Sequence, residues 1–88
     1  MKSEVKKVES RLIKIIRRLQ AMTAVRGTAP QIREFTQFGV YVCEVSYQPT
    51  RQEFIVRRVR QQEQLVFDDL DLAAMEVYDC LYDFRHTF

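Results

Sequence analysis

The chain has 88 residues and a mass of 10.5 kDa; 47% of its residues are hydrophobic and 30% charged, with two Gly and two Pro. That is enough apolar material for one small core and too much for a disordered or collagen-like chain, so a single domain over residues 1–88 is expected. The net charge of +2 conceals a bipolar chain: residues 1–60 hold 13 of the 14 Lys and Arg against five acids, and residues 61–88 hold seven acids against Arg85.

Val5, Val8, Leu12, Ile15, Leu19 and Met22 recur at helical spacing, with Ile16 widening the stripe, and predict an amphipathic helix over about residues 4–24. Ser3 is its expected N-cap, and Gly27 and Pro30 stop it. The period then changes to two. Ile32 to Thr36 reads as a short strand, Gln37-Phe38-Gly39 as a tight turn with Gly39 at positive φ, and Val40 to Tyr47 as a second strand. In that strand Tyr41, Cys43, Val45 and Tyr47 are expected to face the helices, with Val40, Val42, Glu44 and Ser46 on the far side.

Gln48 to Arg51 forms the next loop, and a third strand runs from about Gln52 to Arg60. Pairing Gln48 with Arg51 sets Val45 opposite Phe54, Cys43 opposite Val56 and Tyr41 opposite Arg58. A turn at Gln61-Gln62-Glu63 leads into a short fourth strand, Gln64 to Phe67, with Leu65 and Phe67 on one face and Val66 on the other. Asp68 or Asp69 then caps a helix over about 69–84, whose buried stripe is Leu70, Ala74, Val77, Leu81 and Phe84. The expected fold is α+β and two-layered, in the order α-β-β-β-β-α, with a four-stranded antiparallel meander and both helices on one face.

This order, together with Phe35, Phe38-Gly39, Cys43-Glu44-Val45-Ser46-Tyr47, Phe54, Phe67-Asp68-Asp69-Leu70-Asp71-Leu72 and Glu76-Val77-Tyr78, resembles the YkuJ-like family, small uncharacterised proteins of Firmicutes bacteria. The likeness covers about residues 33–81. Two departures stand out: the turn before the fourth strand lacks a Gly, and Asp69 stands where the family usually has Asn. The resemblance implies a cytosolic two-layer domain and brings no catalytic residue or cofactor with it.

Candidate chemistry is sparse. No apolar run reaches the ~20 residues of a membrane span, and Lys and Arg interrupt the first helix too often for a signal peptide, so a cytoplasmic protein without membrane contact is expected. Cys43 and Cys80 read as buried reduced thiols. His86 is the only histidine, no Cys/His spacing suits zinc, and no Gly-rich loop is present, so neither a catalytic constellation, a metal site, a cofactor nor a small-molecule ligand is expected. Asp68, Asp69 and Asp71 suit helix capping better than a divalent cation.

Two surfaces remain. Leu72, Met75, Tyr78 and Tyr82 on the last helix, with Val40, Val42, Ile55 and Val59 on the far sheet face, exceed what so small a core can bury; with the bipolar charge they point to self-association as a homodimer or higher homo-oligomer. Lys7, Arg11, Lys14 and Arg18, spaced along one side of the first helix and joined by Arg57 in the Arg-rich third strand, suit a polyanion, and nucleic-acid binding is the alternative reading.

Overall fold

A computed structural model describes the backbone of residues 2–86 and the side chains of residues 10–86. The elements are α1 (Lys2–Thr23), β1 (Gln31–Gln37), β2 (Val40–Gln48), β3 (Glu53–Arg58), β4 (Glu63–Phe67) and α2 (Leu70–Arg85). The strands form one antiparallel sheet in the order β1-β2-β3-β4, and α2 lies across all four, with α1 packed beside it. The expected two-layer meander is therefore the observed one.

α1 begins at Lys2, ahead of Ser3, so Ser3 lies within the helix and not before it; its side chain, like those of Val5, Lys6, Lys7 and Val8, is outside the described residues. Ile15, Leu19 and Met22 are buried and Leu12 and Ile16 half-buried, as the stripe requires. Ala24 N–H closes the last turn onto Gln20 O at 3.2 Å, and Thr23 Oγ1 donates to the same carbonyl at 2.7 Å. The helix thus ends before Gly27.

Phe38 and Gly39 form a two-residue hairpin loop between Gln37 and Val40, with φ of 55° and 73°. A pair of positive φ values is what a tight hairpin with the sheet's twist demands, and it suits Gly39 far better than Phe38. Beyond the loop β2 departs from strict alternation. Phe35 pairs with Cys43 but Thr36 with Tyr41, which leaves Val42 as an extra residue, a β-bulge. The bulge turns Val42 into the core at 3% exposure and sends Tyr41 to the far face, the reverse of the expectation for both residues. Cys43, Val45 and Tyr47 lie beyond it and face the helices as expected. Val59 N–H satisfies the bulged Val42 carbonyl at 3.1 Å.

The β2–β3 register also differs from the expected one. Val45 pairs with Val56, Tyr47 with Phe54 and Cys43 with Arg58, because the loop has four residues, 49–52, closed by Gln48 with Glu53. A slip of two residues preserves the face of every side chain, so Phe54 and Val56 are buried regardless. The β3–β4 loop repeats this form: Arg58 pairs with Glu63 around residues 59–62. In each loop the fourth residue is a Gln at positive φ, 54° at Gln52 and 56° at Gln62.

Asp69 caps α2, its Oδ1 accepting from Asp71 N at 2.8 Å and Leu72 N at 3.2 Å. The buried residues of the helix are Ala73, Ala74, Val77, Cys80 and Phe84, with Leu70 and Leu81 half-buried. The stripe is rotated toward Ala73 and Cys80, whose small side chains let the helix sit close to the sheet. The core joins this stripe to Ile15, Leu19 and Met22 from α1 and to Phe35, Val45, Phe54 and Val56 from the sheet. Full burial of one such side chain contributes about 1.5–3 kcal/mol.

Candidate functional site

Two surfaces carry chemistry, one on each side of the sheet. On the helix side, a groove of about 220 Å³ runs between α1, the end of β1 and α2. Arg11, Lys14 and Arg18 reach it from α1 and Arg85 from α2; Ile15, Phe35 and Leu81 lie beneath them, with Tyr78 and Tyr82 along the α2 side. No acidic side chain is among the described residues lining it. The helical spacing of Arg11, Lys14 and Arg18 aligns these cations on one side of α1, and packing of α1 against α2 turns that side into a wall.

Arg18 is held in place: its guanidinium carbon lies 4.2 Å from the centre of the Phe35 ring, and its Nη2 donates to Glu34 O at 3.2 Å. Arg11, Lys14 and Arg85 make no ion pair among the described residues. The Tyr78 and Tyr82 rings stack at 6.1 Å and 27°, and Tyr82 also meets His86 at 4.1 Å.

The other surface is the sheet face away from the helices. Ile32, Ser46, Ile55 and Val66 stand in register across the four strands, Ile32 exposed by 53% and Val66 by 54%, with Ile55 half-buried. Beside this row runs a polar one, Glu34, Glu44, Arg57 and Gln64. Within it Arg57 Nη2 lies 3.5 Å from Glu44 Oε2, and Tyr41 Oη donates to the same oxygen at 2.5 Å. The Tyr41 hydrogen bond first, and Arg57 after it, hold the Glu44 carboxyl below its ordinary value. Loss of solvent, and then the Glu44 carboxylate, push the Tyr41 hydroxyl up to about 12.

The predicted residues divide accordingly. Arg11, Lys14 and Arg18 come together in the groove, while the Lys7 side chain lies outside the described residues. Arg57 is on the opposite sheet face, paired with Glu44, so it does not extend the stripe of α1. Arg58 faces the helices, where it binds Glu76 and Asp83. Of the self-association set, Leu72, Met75 and Tyr82 on α2 are exposed, as is Val40 beside the Phe38–Gly39 turn; Ile55, Val59 and Tyr78 are half-buried. Val42 leaves the set, because the bulge buries it.

The Asp69 carboxylate is engaged by backbone amides as a cap. Cys43 and Cys80 are free, buried thiols; contact with Cys80 and then burial push the Cys43 thiol up.

Arg85, Tyr78 and Phe35 were not expected beside the basic stripe, nor Ile32 and Val66 beside Ile55. Arg85 did carry a signal, as the one cation in an acidic segment, and Val66 another, as the strand residue pointing away from Leu65 and Phe67.

A search of curated proteins brings no match. Among solved structures the chain is similar to the YkuJ protein from Bacillus subtilis, with a TM-score of 0.75 and 28% identity over 82% of this chain and 98% of that one. This agrees with the resemblance read from the Phe67-Asp68-Asp69-Leu70 stretch and the strand core. The model of a protein family of unknown function, DUF1797, matches residues 15–81, from the buried stripe of α1 to Leu81 of α2. The chain belongs to the DUF1797 family.

Proposed function

We propose that the chain is a non-enzymatic, cytosolic interaction module that self-associates through the uncovered sheet face. The observation that carries this reading is the self-complementarity of that face. A twofold axis along the strand direction lays β1 of one copy over β4 of the other and β2 over β3, each row meeting itself. Ile32 then meets Val66, and Glu44 meets Arg57, so apolar side chains cover one another and opposite charges face across the contact. Two free, buried thiols suit a reducing compartment.

Sedimentation of the parent chain at micromolar concentration tests the reading, with Ile55→Lys as the disrupting variant and circular dichroism to check its fold. A dimer that Ile55→Lys converts to a folded 10.5 kDa species is expected. A parent that sediments as a monomer overturns the proposal, and dissociation by Met75→Lys but not by Ile55→Lys overturns its assignment to the sheet.

A further inference from the structure

We propose that the groove between α1, β1 and α2 is a binding site for a nucleotide unit, its ring against the Tyr78–Tyr82 wall and its phosphate against Arg11, Lys14 and Arg85. The groove lies on the helix side of the sheet, so this inference is independent of self-association through the other face. Three features of the lining select the ligand.

The first is uncompensated charge. Arg11, Lys14 and Arg85 converge on one cavity with no acidic side chain among its described lining residues and no ion pair among the described residues. A phosphate carries up to two negative charges and several acceptor oxygens, which match guanidinium forks and an ammonium together; a carboxylate would leave most of the positive charge unanswered. The second is the apolar interior. Ile15 and Phe35 are buried at its floor, and the half-buried Leu81 and Tyr78 and the exposed Tyr82 keep apolar surface above them, which a bare inorganic anion would leave in water and a ring attached to the phosphate covers.

The third is the shape. At about 220 Å³ the cavity falls below the roughly 300–1,000 Å³ of drug-sized ligand pockets, which favours one nucleotide unit over a dinucleotide cofactor. Tyr82, 46% exposed and stacked with Tyr78, offers an aromatic platform of the kind on which bases lie. Arg18 is already fixed over Phe35 and bonded to Glu34 O, so it forms a preset edge of the site. No local motif announces the groove, because its lining comes from three elements distant in sequence.

The same chemistry is presented by a free nucleotide and by a single-stranded RNA, and the test has an arm for each. The full chain is titrated with AMP, ADP, a short single-stranded RNA and inorganic phosphate at about 50 mM salt, followed by amide chemical shifts. AMP, ADP or the RNA should bind at least about tenfold more tightly than inorganic phosphate and shift the amides of Arg18, Phe35 and Tyr82. The double variant Arg11→Gln/Lys14→Gln should weaken that binding by about tenfold or more with its fold intact, and Arg51→Gln in the 49–52 loop should leave it unchanged. Binding by the nucleotides assigns the free molecule as the source, and binding by the RNA alone assigns the strand. The proposal is overturned if neither nucleotide nor RNA binds, if phosphate binds as tightly as they do, or if the double variant binds like the parent.

Discussion

Arg58 Nε donates to Glu76 Oε2 at 2.8 Å, tying the end of β3 to the middle of α2, and its Nη1 reaches Asp83 Oδ2 at 3.1 Å about two helical turns further on. Both Arg58 and Glu76 side chains are largely covered, while that of Asp83 is 62% exposed. Desolvation works against the Arg58 charge, but the hydrogen bonds to Glu76 and Asp83 outweigh it and leave the guanidinium held more firmly in its protonated form. Arg58 pairs with Cys43 across the sheet, so it closes one end of the core with a charge-assisted clasp.

The two halves of the clasp should differ in worth. Glu76→Gln leaves Arg58 covered and without its closest counter-charge and should cost about 2 kcal/mol in chemical denaturation. Asp83→Asn, at the solvated half, should cost less than about 1 kcal/mol. Equal losses for the two would contradict the geometry.

Gln62 stands at φ 56°, a backbone region that costs an L-residue about 1–2 kcal/mol and glycine almost nothing. Gln62→Gly should therefore raise stability by about 0.5–1 kcal/mol after the greater freedom of glycine in the unfolded chain is deducted, and Gln52→Gly should act in the same direction. Gln62→Val should lower it. A denaturation midpoint that moves downward in Gln62→Gly would refute the strain.

Tyr41 supplies a pH dependence on the alkaline side. Its ionisation is pushed up to about 12 from an ordinary value of 10.0, so the folded state favours the protonated phenol. The stability this provides is complete below pH 10 and is lost as pH rises from there toward 12. Phenolate absorbance of the parent minus that of Tyr41→Phe should show a component near the upper value. Glu44→Gln should lower it only in part, since burial is the larger cause.

Asp69→Ala should cost about 1 kcal/mol by leaving the amides of Asp71 and Leu72 without their acceptor. Asp69→Asn, which keeps a side-chain oxygen to accept from the same amides, should retain most of that. Thermal melts with and without Mg²⁺ should coincide for the parent; a rise on adding the ion would mean that the acidic turn does more than cap.

Element order and most of the core were legible because each rested on a repeating pattern. The stripe from Leu12 to Met22 has the helical period, and Val45, Tyr47, Phe54 and Val56 keep strand alternation whichever of two even registers they adopt. The bulge at Val42 was not legible, since Val40-Tyr41-Val42-Cys43 is apolar at every position and alternation carries no information there. The loop lengths failed for a related reason: Gln52 and Gln62 adopt a conformation for which neither has a propensity, so local composition gave no warning. Half of the groove was visible as the stripe of α1. The other half needed the packing of α2 to bring Tyr82 and Arg85 against it, a long-range event that no window of sequence contains.

The two thiols give the fold an internal gauge. Cys43 on β2 and Cys80 on α2 are both almost wholly shielded, so an alkylating reagent reaches them only when the helix lifts from the sheet. Where alkylation outpaces reclosing, their labelling rate in the native protein counts such openings directly, with no residue introduced. Once α2 has lifted, both sulfurs become available together, and in that regime modification should pass from none to two without a singly labelled plateau.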